Sequence, residues 1–154
     1  MIDDVGLKIL KILQKKARIP NVEVARQVGM APSAVLERIR KLEKQGFIDG
    51  YEVRLNPKRF AKSLVAFIRI KIKKLSDEKQ IGEKLGRIVE VQEVHYVAGE
   101  DAFLVKVRAA DTEDLGRITR DKIVSINAVQ STQTAIVLST YKETARIPIE
   151  ILSA

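Results

Sequence analysis

Residues 21–46 read NVEVARQVGMAPSAVLERIRKLEKQG, and their spacing predicts two helices joined by a tight turn. Over Asn21 to Val28 the apolar residues Val24, Ala25 and Val28 recur at helical spacing. Gly29 is placed to end that helix in the left-handed conformation that glycine tolerates. Pro32 takes the favoured first position of the next helix. That helix runs to about Gln45 with Val35, Ile39 and Leu42 inward, and Gly46 stops it. Two helices linked by a short turn containing glycine are the pattern of a helix-turn-helix. A plain helical bundle would share the apolar spacing, so charge separates the two readings. Arg38, Arg40, Lys41 and Lys44 line the exposed surface of the second helix against only Glu37 and Glu43, where surface helices ordinarily mix signs.

Upstream, Ile2 to Lys16 reads as a further helix, with Leu7, Ile9, Leu10, Ile12 and Leu13 on one face and lysines mostly on the other. Asp3 and Asp4 suit the positive end of its dipole, and Pro20 breaks it. Downstream, Phe47 to Leu55 alternates like a short strand, Asn56-Pro57 turns the chain, and residues 56–63 form a hinge. The period then changes. Leu64 to Lys74 alternates as a strand, with Ile68, Ile70 and Ile72 opposite Phe67, Arg69, Lys71 and Lys73. A helix is predicted over Asp77 to Ile88, strands over Val91 to Val97 and Ala102 to Ala109, a helix over Asp111 to Ile126, and a last strand over Ala128 to Tyr141. Strand, helix, strand, strand, helix, strand is the split βαβ plan of a ferredoxin-like sandwich. The fold class is therefore α+β, in four parts: 1–50 a helix-turn-helix domain, 51–63 a hinge strand and linker, 64–141 the ferredoxin-like domain, and 142–154 a C-terminal tail.

A net charge of +8 points toward a polyanionic partner, and its distribution says more than its size. Residues 1–60 hold 13 Lys and Arg against 7 Asp and Glu; residues 61–154 hold 15 against 13. One half is thus suited to meet nucleic acid while the other does something else. With 45% hydrophobic and 31% charged residues the chain is not a disordered one. The absence of cysteine excludes disulfides, thiolate zinc sites, iron–sulfur clusters and cysteine nucleophiles. Neither a signal peptide nor a membrane span is expected, and the reading is of a cytoplasmic chain.

A sheet covered by helices on one face leaves the other open. Phe67, His95, Val97, Leu104 and Thr/Val positions near 132–138 are expected there, which predicts a dimer packed sheet to sheet. The lone histidine, His95, fits a packing role, since one imidazole without partners makes no metal site. There is no phosphate-cradling glycine loop and no nucleophile elbow, so neither an enzyme nor a cofactor is expected. Gly99-Glu100-Asp101 reads either as turn chemistry or as a site for a small cationic or zwitterionic ligand.

These pieces together resemble the Lrp/AsnC (feast/famine) transcription regulators over about residues 2–149. The resemblance is carried by Leu7-Lys8-Ile9-Leu10 with Leu13-Gln14, Asn21-Val22-Glu23-Val24-Ala25 with Val28-Gly29, Val35-Leu36-Glu37-Arg38-Ile39 with Lys41-Leu42-Glu43, Gly46-Phe47-Ile48, and Gly50-Tyr51. In the second half it lies in His95-Tyr96-Val97-Ala98-Gly99-Glu100, Phe103 to Val107, and Ser131-Thr132 to Ile136-Val137-Leu138. It implies a winged helix-turn-helix hinged to a ferredoxin-like regulatory domain, dimers through their sheets, and octamers of four dimers. It also implies binding of double-stranded DNA, with an amino-acid effector held at Ala98, Gly99, Glu100, Asp101, Thr132 and Thr134. Members that bind amino acids commonly carry Gly-Asp/Glu-x-Asp in the turn, whereas here the run is Gly99-Glu100-Asp101-Ala102.

A recognition helix enters the major groove with its N-terminal residues at base edges. Ser33, Ala34, Glu37 and Arg38 are then the expected readers: Ser by hydrogen bonds, Ala against thymine methyls, Glu for cytosine and Arg for guanine. Arg40, Lys41, Lys44 and Asn21 are expected on phosphates. Two alternatives stand beside this reading: an architectural protein that wraps DNA with little sequence choice, and an enzyme like the siroheme decarboxylases, which share the two-domain plan. Those enzymes are similar at His95-Tyr96, but this chain lacks their following Asn-Leu-Trp pattern and has neither a tryptophan nor a second histidine.

Overall fold

The computed structural model describes residues 2–99 and 102–150. The chain divides into two compact units: one of residues up to Arg54 together with the stretch from Glu143 onward, the other Leu55–Lys142.

The first unit holds three helices, α1 (Asp4–Lys15), α2 (Asn21–Val28) and α3 (Pro32–Lys44). The Asp3 side chain caps α1 by accepting from the Gly6 N–H at 2.8 Å. Gly29 ends α2 at φ +70°, as its sequence position requires, and its N–H returns to the Ala25 carbonyl. Pro32 opens α3, which has no side-chain cap at Ala31. Ile9, Leu10, Leu13, Val24, Ala25, Val35, Ile39 and Leu42 close on one another as the core. Each fully buried aliphatic side chain there contributes about 1.5–3 kcal/mol.

Two expectations for this unit are corrected. Residues 47–55 form no strand: among the described residues no strand pairs with them, and Val53 and Leu55 stay 84% and 61% exposed. Nor is the stretch expected as a tail from 142 onward free of the helices over its described part, 142–150. Gln14 accepts from the Ile147 N–H at 2.9 Å and donates to its carbonyl at 3.2 Å, and Ile149 packs against the helical core.

The second unit is built on β1 (Leu64–Ile72), α4 (Glu78–Gly86), β2 (Val91–Val97), β3 (Ala102–Ala109), α5 (Thr112–Ile118) and β4 (Val129–Ile136). The strands form one antiparallel sheet in the order β2-β3-β1-β4, the ferredoxin-like arrangement that the element order predicts. Ala66, Ile68, Ile70 and Ile72 meet Phe103, Val105, Val107 and Ala109 on the helix side, under Ile81 and Leu85 of α4 and Leu115 and Ile118 of α5.

Here too the boundaries move. The helix expected to run unbroken to residue 126 turns at Thr119 into a π-helix, Thr119–Val124. Thr119 and Ser125 donate their hydroxyls to the carbonyls of Leu115 and Asp121, a back-bonding that loosens a helical ladder, and the wider turn still buries Ile123. β4 ends at Ile136, short of the expected Tyr141, with one further bond from the Val137 N–H to the Val65 carbonyl near the start of β1. β1 itself stops at Ile72, where a register shift at Lys71/Ile72 interrupts its pairing with β4. The sheet's open face carries Phe67, Arg69, Lys71, Leu104, Lys106, His95 and Val97, as expected. Thr132 and Thr134 do not join it: they pair in register with Ile70 and Ile68 and so point toward the helix layer.

Candidate nucleic-acid interface

The outward face of α3 is fixed by what its inward face buries. With Val35, Ile39 and Leu42 sealed and about 100° of rotation per residue, Ser33, Glu37, Arg40, Lys41 and Lys44 project away from the core. All five are exposed. Glu37 accepts from Arg40 at 3.2 Å. Lys41 and Lys44 enter no ion pair among the described residues, so their charge is available to an outside anion. Ala34 is half-buried on one flank. Asn21 stands at the first position of α2, where Pro20 supplies no side-chain cap.

Arg38 lies on the flank of α3 rather than at its crest. Its Nη1 donates to both Asp3 oxygens, at 2.8 and 2.6 Å. The Asp3 carboxyl is held below its ordinary value of 3.8, first by Arg38 and then by the Gly6 N–H. Behind the C-terminal end of α3, the Tyr51 hydroxyl donates to Glu43 at 2.9 Å; partial burial and that carboxylate push its pKa up to about 12. Sequence reading missed both pairs. Asp3 read only as a dipole partner, and nothing in local spacing links it to a residue 35 positions away.

The described members of the expected effector set are not gathered within one chain. Ala98 and Gly99 (φ +104°) follow β2 at one edge of the sheet, while Thr132 and Thr134 sit on β4 at the other. Glu100 and Asp101 lie outside the described residues. Thr134 instead borders an open depression of about 360 Å³, with Thr112, Leu115, Gly116, Thr119, Arg120 and Val124. His95 lies on the open sheet face, 3.4 Å from Glu93. Among the described residues no cluster of His, Asp and Glu could hold a metal ion, and no helix is long and apolar enough to cross a membrane.

A family model described as the Lrp/AsnC ligand binding domain matches residues 65–147, and one described as winged helix-turn-helix DNA-binding matches residues 2–49. The leucine-responsive regulatory proteins of Escherichia coli (strain K12) and Klebsiella pneumoniae are each 34% identical over 151 residues, 97% of this chain and 92% of theirs. Among solved structures, E. coli AsnC has a TM-score of 0.88 at 30% identity, covering 96% of this chain and 99% of its own. A Neisseria meningitidis transcriptional regulator in complex with L-Met gives 0.90 at 30%, covering 96% and 97%. A feast or famine regulatory protein from M. tuberculosis complexed with L-methionine gives 0.88 at 30%, covering 97% and 100%.

Proposed function

This chain belongs to the Lrp/AsnC family of DNA-binding transcription regulators, and from that premise we propose that it reads a two-part operator with the outward face of α3 under the control of an amino acid. The family is one of regulators and not of enzymes. One observation carries the reading: exposed Ser33 and Glu37 share the crest of α3 with Arg40, Lys41 and Lys44. Polar groups able to address base edges thus stand beside cations able to hold phosphates. Ser33, Ala34, Glu37 and Arg38 read; Arg40, Lys41, Lys44 and Asn21 fix the register.

Two heads on a dimer address half-sites about one helical turn apart. The dimer forms through the open sheet face, where Phe67, Leu104 and Val97 share the surface with Arg69 and Lys106, and four dimers assemble into an octamer. The effector is an amino acid held beside the turn after β2, at Ala98, Gly99, Glu100 and Asp101, with Thr132 and Thr134 brought in from another copy. Its support is the L-methionine bound by two relatives of similar fold and the separation of Ala98 and Gly99 from Thr132 and Thr134 across the sheet of a single chain.

Selection of bound sequences from random DNA, repeated across salt concentrations, tests the DNA reading. A recurring two-part motif is expected, with specific affinity at least about 10³-fold above non-specific. Equal affinity for all sequences would assign the architectural role instead. A thermal-shift series against the amino acids tests the effector, since a ligand of the folded state alone must raise the melting temperature.

A further inference from the structure

Asp3 does more than start a helix. Its Oδ1 accepts from the Gly6 N–H at 2.8 Å, and both oxygens accept from Arg38 Nη1. The approach is close: a Cβ at Gly6 would stand 2.7 Å from Ile2 Cγ1 and 3.2 Å from Asp3 Oδ1. The carboxylate is therefore fixed from two sides, by a helix end and by a guanidinium.

Every hydrogen bond of Arg38 leaves from Nη1. Its Nε and Nη2 donate to nothing among the described residues, and its side chain is 37% exposed. A guanidinium is a rigid plane with five N–H donors, so holding one nitrogen sets the direction of the whole plane. What remains is the Nε/Nη2 edge, a two-donor fork with the spacing of guanine O6 and N7. A long side chain ordered before it binds loses less freedom on binding.

We infer that Asp3 is a positioning residue that presents Arg38 to one guanine of the operator, and so determines specificity from outside the recognition helix. The inference rests on the reading of α3 as the helix that meets DNA.

Sequence selection and competition binding with the full-length Asp3→Asn, Arg38→Ala and Arg38→Lys chains and the Asp3→Asn/Arg38→Ala double variant test it. Asparagine caps helices as well as aspartate, so Asp3→Asn keeps an acceptor for Gly6 and removes the charge that holds Arg38. Arg38→Ala is expected to lose about fivefold to a hundredfold of the preference at one G·C pair. Arg38→Lys, with no fork, loses preference at the same pair, and Asp3→Asn loses part of it. The double variant is no worse than Arg38→Ala, because coupled residues do not add. The salt dependence of binding stays that of the unaltered chain in Asp3→Asn. An Asp3→Asn chain that keeps the full preference at the Arg38 pair, or losses that add in the double variant, would overturn the positioning role. An Arg38→Ala chain with unchanged preference would make the pair a strut between α1 and α3. An unaltered chain with no preferred motif would instead overturn the reading of α3 itself.

Discussion

Gly29 shows how much a single backbone angle carries. It sits at φ +70° between α2 and α3, and a Cβ there would meet nothing within 4 Å. The cost of Gly29→Ala is therefore conformational alone, about 1–2 kcal/mol, and urea unfolding should show that loss. In β1 the neighbours Ile70 and Lys71 face opposite ways, one sealed at 0% exposure and the other open. Ile70→Ala should cost about 2–5 kcal/mol, whereas Lys71→Ala should leave the unfolding midpoint nearly where it was. Such positions are readable from the chain because alternation or a glycine announces them. Asp114 is not. It accepts from the Ala110 N–H, from Arg117 and from Lys62 at 3.1 Å, and the first of these does most to hold its carboxyl far below 3.8. A depressed folded value stabilises fully above the unfolded value and is lost as pH falls through the folded one. The melting temperatures of the natural and Asp114→Asn chains should differ at pH 7 and converge progressively below about pH 4. A gap that persists in strong acid would show that charge is not the cause.

Among the elements, α3 is the one whose sequence and structure speak most directly of DNA. Lys41→Ala and Lys44→Ala should each weaken binding to every sequence alike and reduce the salt slope by about one unit; a change confined to one motif would move the residue from phosphate to base. The apolar periods of α1, α2, α3 and β1 to β3 were plain in the chain, because each element buries one face and the period follows from burial. Sequence and structure part where a neighbour decides. Phe47 to Leu55 has a strand's alternation, yet among the described residues no strand pairs with it to complete a ladder. The segment after Ile118 has a helix's apolar spacing, but Thr119 and Ser125 divert carbonyls that a regular helix would use. Pairs such as Asp3–Arg38 and Tyr51–Glu43 were unreadable for a related reason. Whether two polar groups meet depends on packing between segments, which no local pattern encodes.

At the scale of the whole molecule, the open sheet face mixes Phe67, Val97 and Leu104 with Arg69, Lys71 and Lys106, all registered across three antiparallel pairings. If copies join there, light scattering should give the mass of a dimer or a multiple of it, and Phe67→Glu should shift that mass downward without unfolding the chain. The return of the final stretch to α1 has a different kind of consequence. Part of the hydrophobic filling of the DNA-binding head, Ile149, lies C-terminal to the sheet. A nascent head leaving the ribosome is thus unfinished until the sheet has been synthesised and the segment after it has emerged. Swapping heads between relatives by exchanging only their first fifty residues would yield hybrids with a mismatched seam at Gln14. The exchangeable module is discontinuous, and hybrids that also carry the matching last stretch should melt higher than those that do not.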